Sequence, residues 1–365
     1  MLVLQNPDFL ALSPGVAALF EQAGNESFFS SAAWYDLVVK FGLEAAHQVR
    51  LYVDSDICPQ VALVTQGAGK EDTTGGGILH SLTNAYSCEH RIILAPSVDR
   101  GPALQQLAEC LAGESPAWHR IMLAGFDPFE PAVAAFATAL RNVGMAVKPF
   151  FDSGTWYEAT AGLSFSDYLA DRPAILRNTW RRKAAKLQRS DQAQFRYYDS
   201  IEDVESGIAD YQSVYKSSWK PEEYFPLFIP ELIRMAARLG ALRMGTLHFG
   251  GRPAAAQFWI VWQGRACIYK LAHDESMEDY SLGTILTMRM MERVLEQDKP
   301  MEVNFGRGDD PYKKLWLSRR RERWGLAAAN PRTLRGFGHA IRQTAARIAL
   351  PLRPGKPRPP PCLGW

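Results

Sequence analysis

Between residues 242 and 314 the chain holds side chains able to bind an anion and to move protons, set at the ends of regular elements. Lys270 lies mid-strand among apolar neighbours, where a lysine is costly unless it is paired or reaches water. His273 ends the same run and can relay a proton. Asp309 follows the next strand, where loops carry function, and Tyr312, three residues on, is a phenolic proton donor. Ser281-Leu282-Gly283-Thr284 opens a helix, and the orphan N–H groups and dipole of a helix start suit a pyrophosphate. Plainer readings stand beside these. Lys270 can simply salt-bridge Asp309 or Asp310, His273 can be a surface histidine, the Ser281 run a helix cap, and Tyr312 a packed ring.

The elements that must position these groups follow from hydrophobic period and turn residues. Runs 242–249, 254–262 and 266–273 read as strands, punctuated by Gly250-Gly251 and Gln263-Gly264, so they form an antiparallel meander. Alternation puts Cys267, Tyr269 and Leu271 on one face of the third strand and Ile268, Lys270 and Ala272 on the other. An acidic segment, 274–280, leads to a helix with Ile285, Met288, Met291 and Leu295 at spacings of three and four. Pro300 stops it, and 301–305 is the next strand.

The remainder bounds the problem. A chain of 365 residues, 47% hydrophobic and 11% aromatic with a formal charge of +2, is long enough for one large or two ordinary domains and an ample core. Its five cysteines (Cys58, Cys88, Cys110, Cys267 and Cys362) are scattered, with no Cys-x-x-Cys pair, so neither zinc nor a disulfide framework is indicated and a reducing compartment fits best. No secretory signal or run approaching roughly 18 apolar residues is expected. Gly69-Lys70 is not a phosphate loop, since Val64 and Glu71 stand where glycine and a hydroxyl are required; 67–77 reads as a hairpin loop. No His-Glu-x-x-His, Gly-x-Ser-x-Gly or Gly-x-Gly-x-x-Gly run is present, which counts against metalloprotease, hydrolase and dinucleotide-binding classes. Residues 1–150 alternate strand and helix: helices at 14–23, 30–41, 100–111 and 130–143, strands at 48–53, 60–66, 120–124 and 145–151. Further helices are expected at 165–169, 175–187, 201–218 and 230–239, with a strand at 195–199.

Five runs carry a resemblance: Asn178-Thr179-Trp180-Arg181-Arg182-Lys183-Ala184-Ala185-Lys186-Leu187, Ser218-Trp219-Lys220, Tyr269-Lys270-Leu271-Ala272-His273-Asp274, Ser281-Leu282-Gly283 and Asp309-Asp310-Pro311-Tyr312-Lys313. In this order they resemble the GNAT-like acyltransferases associated with bacterial cellulose and exopolysaccharide biosynthesis, relatives of the FemAB peptidyltransferases. The likeness spans 163–324. It departs from the family where His273-Asp274-Glu275 replaces a Tyr-Asp-Pro-like turn, and where Leu282 replaces a common proline.

The resemblance implies an α/β (α+β) fold of two tandem GNAT-like units, each a mixed, mainly antiparallel sheet flanked by helices. Residues 1–160 would be a degenerate copy, 161–330 the acyltransferase, and 331–365 a basic amphipathic helix with a proline-rich tail. The implied reaction is N-acyl transfer to an amine on a glycan, a long-chain lipid or an amino acid. Acyl-CoA, acetyl-CoA or an acyl carrier protein would be the donor, with no metal. Such a site needs oxyanion donors, a proton route and an anion site for the carrier. Lys270 would polarise the thioester carbonyl or hold a substrate carboxylate, His273 would relay a proton, Asp309 would be a catalytic acid of the loop after its strand, and Tyr312 would protonate the leaving thiolate. Ser281, Leu282, Gly283 and Thr284 would hold the carrier's pyrophosphate; Trp180, Arg182, Trp219 and Lys313 would contact substrate, with Trp316 as a wall. A second reading is an aminoacyl-tRNA-dependent peptidyltransferase of FemAB type, against which stands the lack of a long helical-hairpin insertion. A third is a non-catalytic scaffold of a polysaccharide machine.

From Lys313 onward thirteen Lys and Arg face one acid, Glu322. Within this stretch 334–350 puts Leu334, Phe337, Ile341, Ala345 and Ile348 on one helical face and Arg335, His339 and Arg342 opposite. Two readings are open: the helix lies in an anionic membrane interface, or it caps the protein's own core. The tail, 351–361, reads as extended and mobile. The expected location is cytoplasmic, with residues 334–358 as the contact should the protein sit at the inner face of the membrane. No nucleic-acid partner is expected.

Overall fold

The computed structural model describes residues 1–68, 77–190, 192–349 and 357–363. Most of the hairpin loop expected at 67–77 and of the proline-rich run after 350 therefore lies outside the described residues. The chain divides into two compact units, Met1–Gly154 with Glu322–Trp365, and Thr155–Arg321. The segment 331–365, set apart by its composition, groups with the first unit.

In chain order the first unit has β1 (Leu2–Gln5), α1 (Pro14–Glu26), α2 (Ala32–Phe41), β2 (His47–Val53), β3 (Val61–Ala68), β4 (Ile78–Ser81), the short β5 (Ile93–Leu94), α3 (Arg100–Gly113), β6 (Arg120–Phe126) and α4 (Pro131–Asn142). Ser31 caps α2 by accepting from the Trp34 N–H at 3.1 Å. Strands β1 to β4 pair antiparallel in sequence, and β4 pairs parallel with β6. Leu104 and Leu107 of α3 and Phe136 and Leu140 of α4 bury against Leu63, Leu79, Ile121 and Leu123 of this sheet.

The chain enters the second unit along β7 (Ala146–Ala159), then forms α5 (Phe165–Ala170), α6 (Ala174–Ser190), β8 (Ala193–Tyr197), α7 (Val204–Lys216) and α8 (Phe228–Arg238). The meander comes next as β9 (Leu242–Phe249), β10 (Arg252–Trp262) and β11 (Arg265–His273), then α9 (Leu282–Arg293) and β12 (Glu302–Asn304). The chain returns to the first unit along β13 (Arg319–Ala329), which pairs antiparallel with β6, and ends in α10 (Leu334–Ala349). Within the second unit the order is β7-β12-β11-β10-β9-β8, antiparallel except between β11 and β12.

Two details of this sheet position the site. Phe258 of β10 faces Lys270, whereas Trp259 faces Ile268, which leaves Tyr269 as an extra residue. This bulge reverses the parity of β11. Ile268 and Leu271 therefore both pack in the core formed with α9, contrary to simple alternation, and Lys270 shares the other face with Phe258. Gly245 lets α9 approach the sheet, since a Cβ there would lie 2.6 Å from Met290 Sδ. Met288, Met290 and Met291 fill the layer between.

Beyond the proline-rich run 351–361 the chain meets the first unit again. Leu363 is buried with the first unit's core, and its carbonyl accepts from Arg141 Nη2 at 3.0 Å.

A buried ion pair ties the ends of the second unit together. Arg172, 4% exposed, donates to the Trp316 carbonyl at 2.6 Å and pairs with Glu158 at 2.8 Å. Glu158 also accepts from the Ser318 N–H and hydroxyl. Removing one partner strands the other charge in the interior, so Arg172→Met should destabilise this unit by about 3 kcal/mol. Urea unfolding checks this; a loss within about 0.5 kcal/mol would mean water reaches the carboxylate.

Candidate functional site

β11 and β12 run parallel for three residue pairs, Arg265–Glu302, Ala266–Val303 and Cys267–Asn304. There the pairing ends. β11 continues to His273, while the chain after β12 turns away through Gly306 and Gly308, both at positive φ. The opening leads to a cavity of about 330 Å³. Leu271 and His273 line it from β11, and Gly283, Thr284 and Thr287 from the first turns of α9. Trp219 and Lys220 enter from the loop after α7; Phe305, Asp310, Tyr312 and Trp316 close the far side.

The start of α9 splits the expected anion quartet. Ser281 is left-handed (φ 55°) and its hydroxyl makes no cap, while Leu282 is buried in the core. Gly283 and Thr284 face the cavity. Gly283 is required by a close approach, because a Cβ there would lie 2.9 Å from Nδ1 of His273. The imidazole is thus held against the helix start, and Trp219 packs over it at 4.5 Å. Thr287 is committed, donating to the Gly283 carbonyl at 2.8 Å and accepting from Gln257 at 3.2 Å.

The charged candidates sort differently from their sequence order. Lys270 pairs with Glu223 at 2.7 Å, not with Asp309 or Asp310, because the bulge turns it to the other face. Asp309 binds Arg320 through both carboxylate oxygens, which holds its carboxyl below the usual range; Asp310 is the acid that lines the cavity. Lys313 is 5% exposed and its ammonium donates to the carbonyls of Arg307 and Gly308, both at 3.2 Å, and pairs with Asp310 at 2.9 Å. It is the clasp of the loop rather than a cation offered to substrate. Tyr312 stands edge-on to Phe305 at 5.8 Å, and burial followed by the Asp310 charge pushes its phenol up to about 12, so it stays protonated.

Trp180 and Arg182 do not line the cavity. Trp180 packs on Phe165 and under Arg289, 5.2 Å from the ring, and Arg182 is exposed on α6. Other cations of α6 hold the acidic segment before α9: Lys183 donates to the Asp279 carbonyl and Lys186 sits 4.1 Å from the Tyr280 ring centre.

Sequence reasoning passed over Lys220. Burial, then the neighbouring Lys270 ammonium, pull its pKa down to about 8, with Glu223 opposing and Lys313 adding to the shift. The Ser-Trp-Lys run marked the place. Its chemistry depends on a desolvation that only the folded loop supplies. Among the described residues no group of three His, Cys, Asp or Glu could hold a metal ion, and no helix is long and apolar enough to cross a membrane.

Residues 175–314 match the family model of the acetyltransferase (GNAT) domain, a span that contains every lining residue except Trp316. No curated protein matches the chain. Among solved structures, FemX superposes with a TM-score of 0.58 at 8% identity, covering 89% of this chain and 97% of that one. The C-terminal domain of a putative lysylphosphatidylglycerol synthetase from Agrobacterium fabrum gives 0.54 at 13% identity, covering 90% and 96%. L-PGS from Bacillus licheniformis gives 0.52 at 11%, covering 90% and 96%. At such identities the likeness concerns the fold alone. Within the second unit, residues 175–314 are thus similar to a GNAT acetyltransferase domain, and the chain shares its fold with these proteins.

Proposed function

We propose that the second unit transfers an acyl group from a thioester to an amine, and that the opening between β11 and β12 is the reaction site. One observation carries this reading: a helix N-terminus and a desolvated lysine face the same apolar cavity. The orphan N–H groups of Gly283 and Thr284 suit the phosphates of an acyl carrier. Leu271, Phe305 and Trp316 offer an apolar path for its arm and acyl chain.

In this reading the amine nitrogen attacks the acyl carbon, a C–N bond forms and the C–S bond breaks. Neutral Lys220 takes the proton the amine loses. Its ammonium then returns that proton to the departing thiolate, whose pKa near 8.5 is closely matched. Tyr312, kept protonated, donates a hydrogen bond to the sulfur, and His273 borders the carrier's anionic end. Lys270 acts at one remove, by holding Glu223 and raising the field at Lys220. The acceptor amine belongs to a glycan, a lipid or an amino acid.

Assay of acetyl-CoA and aminoacyl-tRNA side by side with a mixed amine pool tests the donor. Acylation from the thioester supports the proposal; transfer from aminoacyl-tRNA alone, or none from either, overturns it.

Lys220→Met should lower kcat/KM by about 10²-fold or more, the usual size of a general-base term. In the parent, kcat/KM should rise with pH and level off above about 8, where Lys220 is neutral. The folded pKa lies below its ordinary value of 10.5, so the unfolded chain binds this proton more tightly. The charge thus opposes folding fully below pH about 8, and the penalty fades between there and 10.5. The methionine variant should therefore melt higher at neutral pH while losing activity. A variant that melts lower, or keeps its rate, contradicts the role.

Gly283→Ala drives a methyl group into the His273 ring. The ring must move toward the cavity, and KM for the donor should rise by about tenfold, roughly 1.4 kcal/mol, with cooperative unfolding retained. An unchanged KM would place the donor elsewhere.

A further inference from the structure

Helix α10 is seated the wrong way round for a helix that caps a core. Its contact side is small and polar: a Cβ at Gly336 would lie 2.0 Å from the Asn330 carbonyl oxygen and 2.7 Å from that of His119. Gln343 Nε2, on the same side, donates to the Ala327 carbonyl at 3.4 Å. The described part of the apolar stripe, Leu334, Phe337 and Ile341, faces water instead. Leu334 is 94% exposed, and Phe337 and Ile341 are each 55% exposed. An amphipathic helix folded onto its own domain buries this stripe; here the backbone's close approach at Gly336 fixes the opposite orientation.

We infer that this stripe is a docking surface for an anionic lipid bilayer, with α10 lying along the headgroup plane. The charge pattern selects that occupant. Arg335 and Arg342 follow Leu334 and Ile341 by one residue, about 100° round the helix, and so flank the stripe rather than lie opposite it, where cations of an interfacial helix meet headgroups. From 323 to 365 the chain has eight Lys and Arg and no Asp or Glu. A second copy of this chain would bring two uniformly basic segments together, which repulsion opposes. A leaflet of acidic lipids offers diffuse negative charge above an apolar layer, matching both faces of the helix. Three apolar side chains and a few cations give reversible attachment rather than insertion.

The test uses the full chain and co-sedimentation with two kinds of vesicle, phosphatidylcholine alone and phosphatidylcholine mixed with phosphatidylglycerol. The protein should bind the mixed vesicles at low salt, and at least about tenfold more weakly at high salt or without the acidic lipid. Phe337→Ser with Ile341→Ser should weaken binding by about tenfold or more and lower the melting temperature only slightly, because each side chain is already more than half exposed. Arg335→Gln with Arg342→Gln should weaken binding and flatten its salt dependence. The inference is overturned if the parent does not bind, or if the serine variant binds as the parent does. A serine variant that melts lower by about 10 °C or more, the loss of two fully buried side chains, would mean the stripe is covered within the fold, and loss of a dimer in that variant would mean a second copy covers it; either result also overturns the inference.

Discussion

A parallel strand pair that holds for three residues and then opens is the constraint on which the second unit depends. Parallel neighbours sharing a full ladder would leave no room between their ends. Here β11 runs on to His273 while β12 stops at Asn304, and the space between them is bordered by side chains of the loop and of α9. Two supports keep the opening from collapsing. The bulge at Tyr269 re-aims the end of β11, and the clasp of Lys313 onto Arg307, Gly308 and Asp310 fixes the loop opposite. Arg172 and Glu158 anchor the chain beyond that loop, through Trp316 and Ser318.

The electrostatics depend on that geometry. Cations gather around the opening, but most are spoken for: Lys270 by Glu223, Lys313 by the loop, and Arg320 by Asp309. The fields of Lys270 and Lys313 still reach Lys220, and together with its burial they set its proton loosely. A lysine in that state beside a helix N-terminus is a combination that binding an anion and accepting a proton both require.

Much of this was legible in the chain, for reasons that also define what was not. Strands β9 to β11 and helix α9 follow from period and turn residues, since each has one buried face and clear glycine punctuation. The bulge was not legible: one extra residue at Tyr269 switches faces without altering composition, which is why Lys270 was paired with the wrong acid. β13 was hidden because Arg319 to Arg323 read as a basic run, and its second half, buried on both faces, does not alternate. The four-residue β1 and β4 and the two-residue β5 were too short to show a period. Lys220 lacked any local sign of its environment, which arises from residues 50 and more than 90 positions away, Lys270 and Lys313. For α10 the amphipathic pattern was plain, but period tells only that an apolar face exists. Gly336, by what a side chain there would strike, tells which way that face points.

Hydrogen–deuterium exchange of the intact chain, with and without acetyl-CoA, tests the central claim most directly. The account predicts slowed exchange in the loop at Trp219 and Lys220, at the end of β11, over the first turns of α9 and across 305–316, the four segments that border the opening. Protection confined to other segments, or none at saturating ligand, would contradict it.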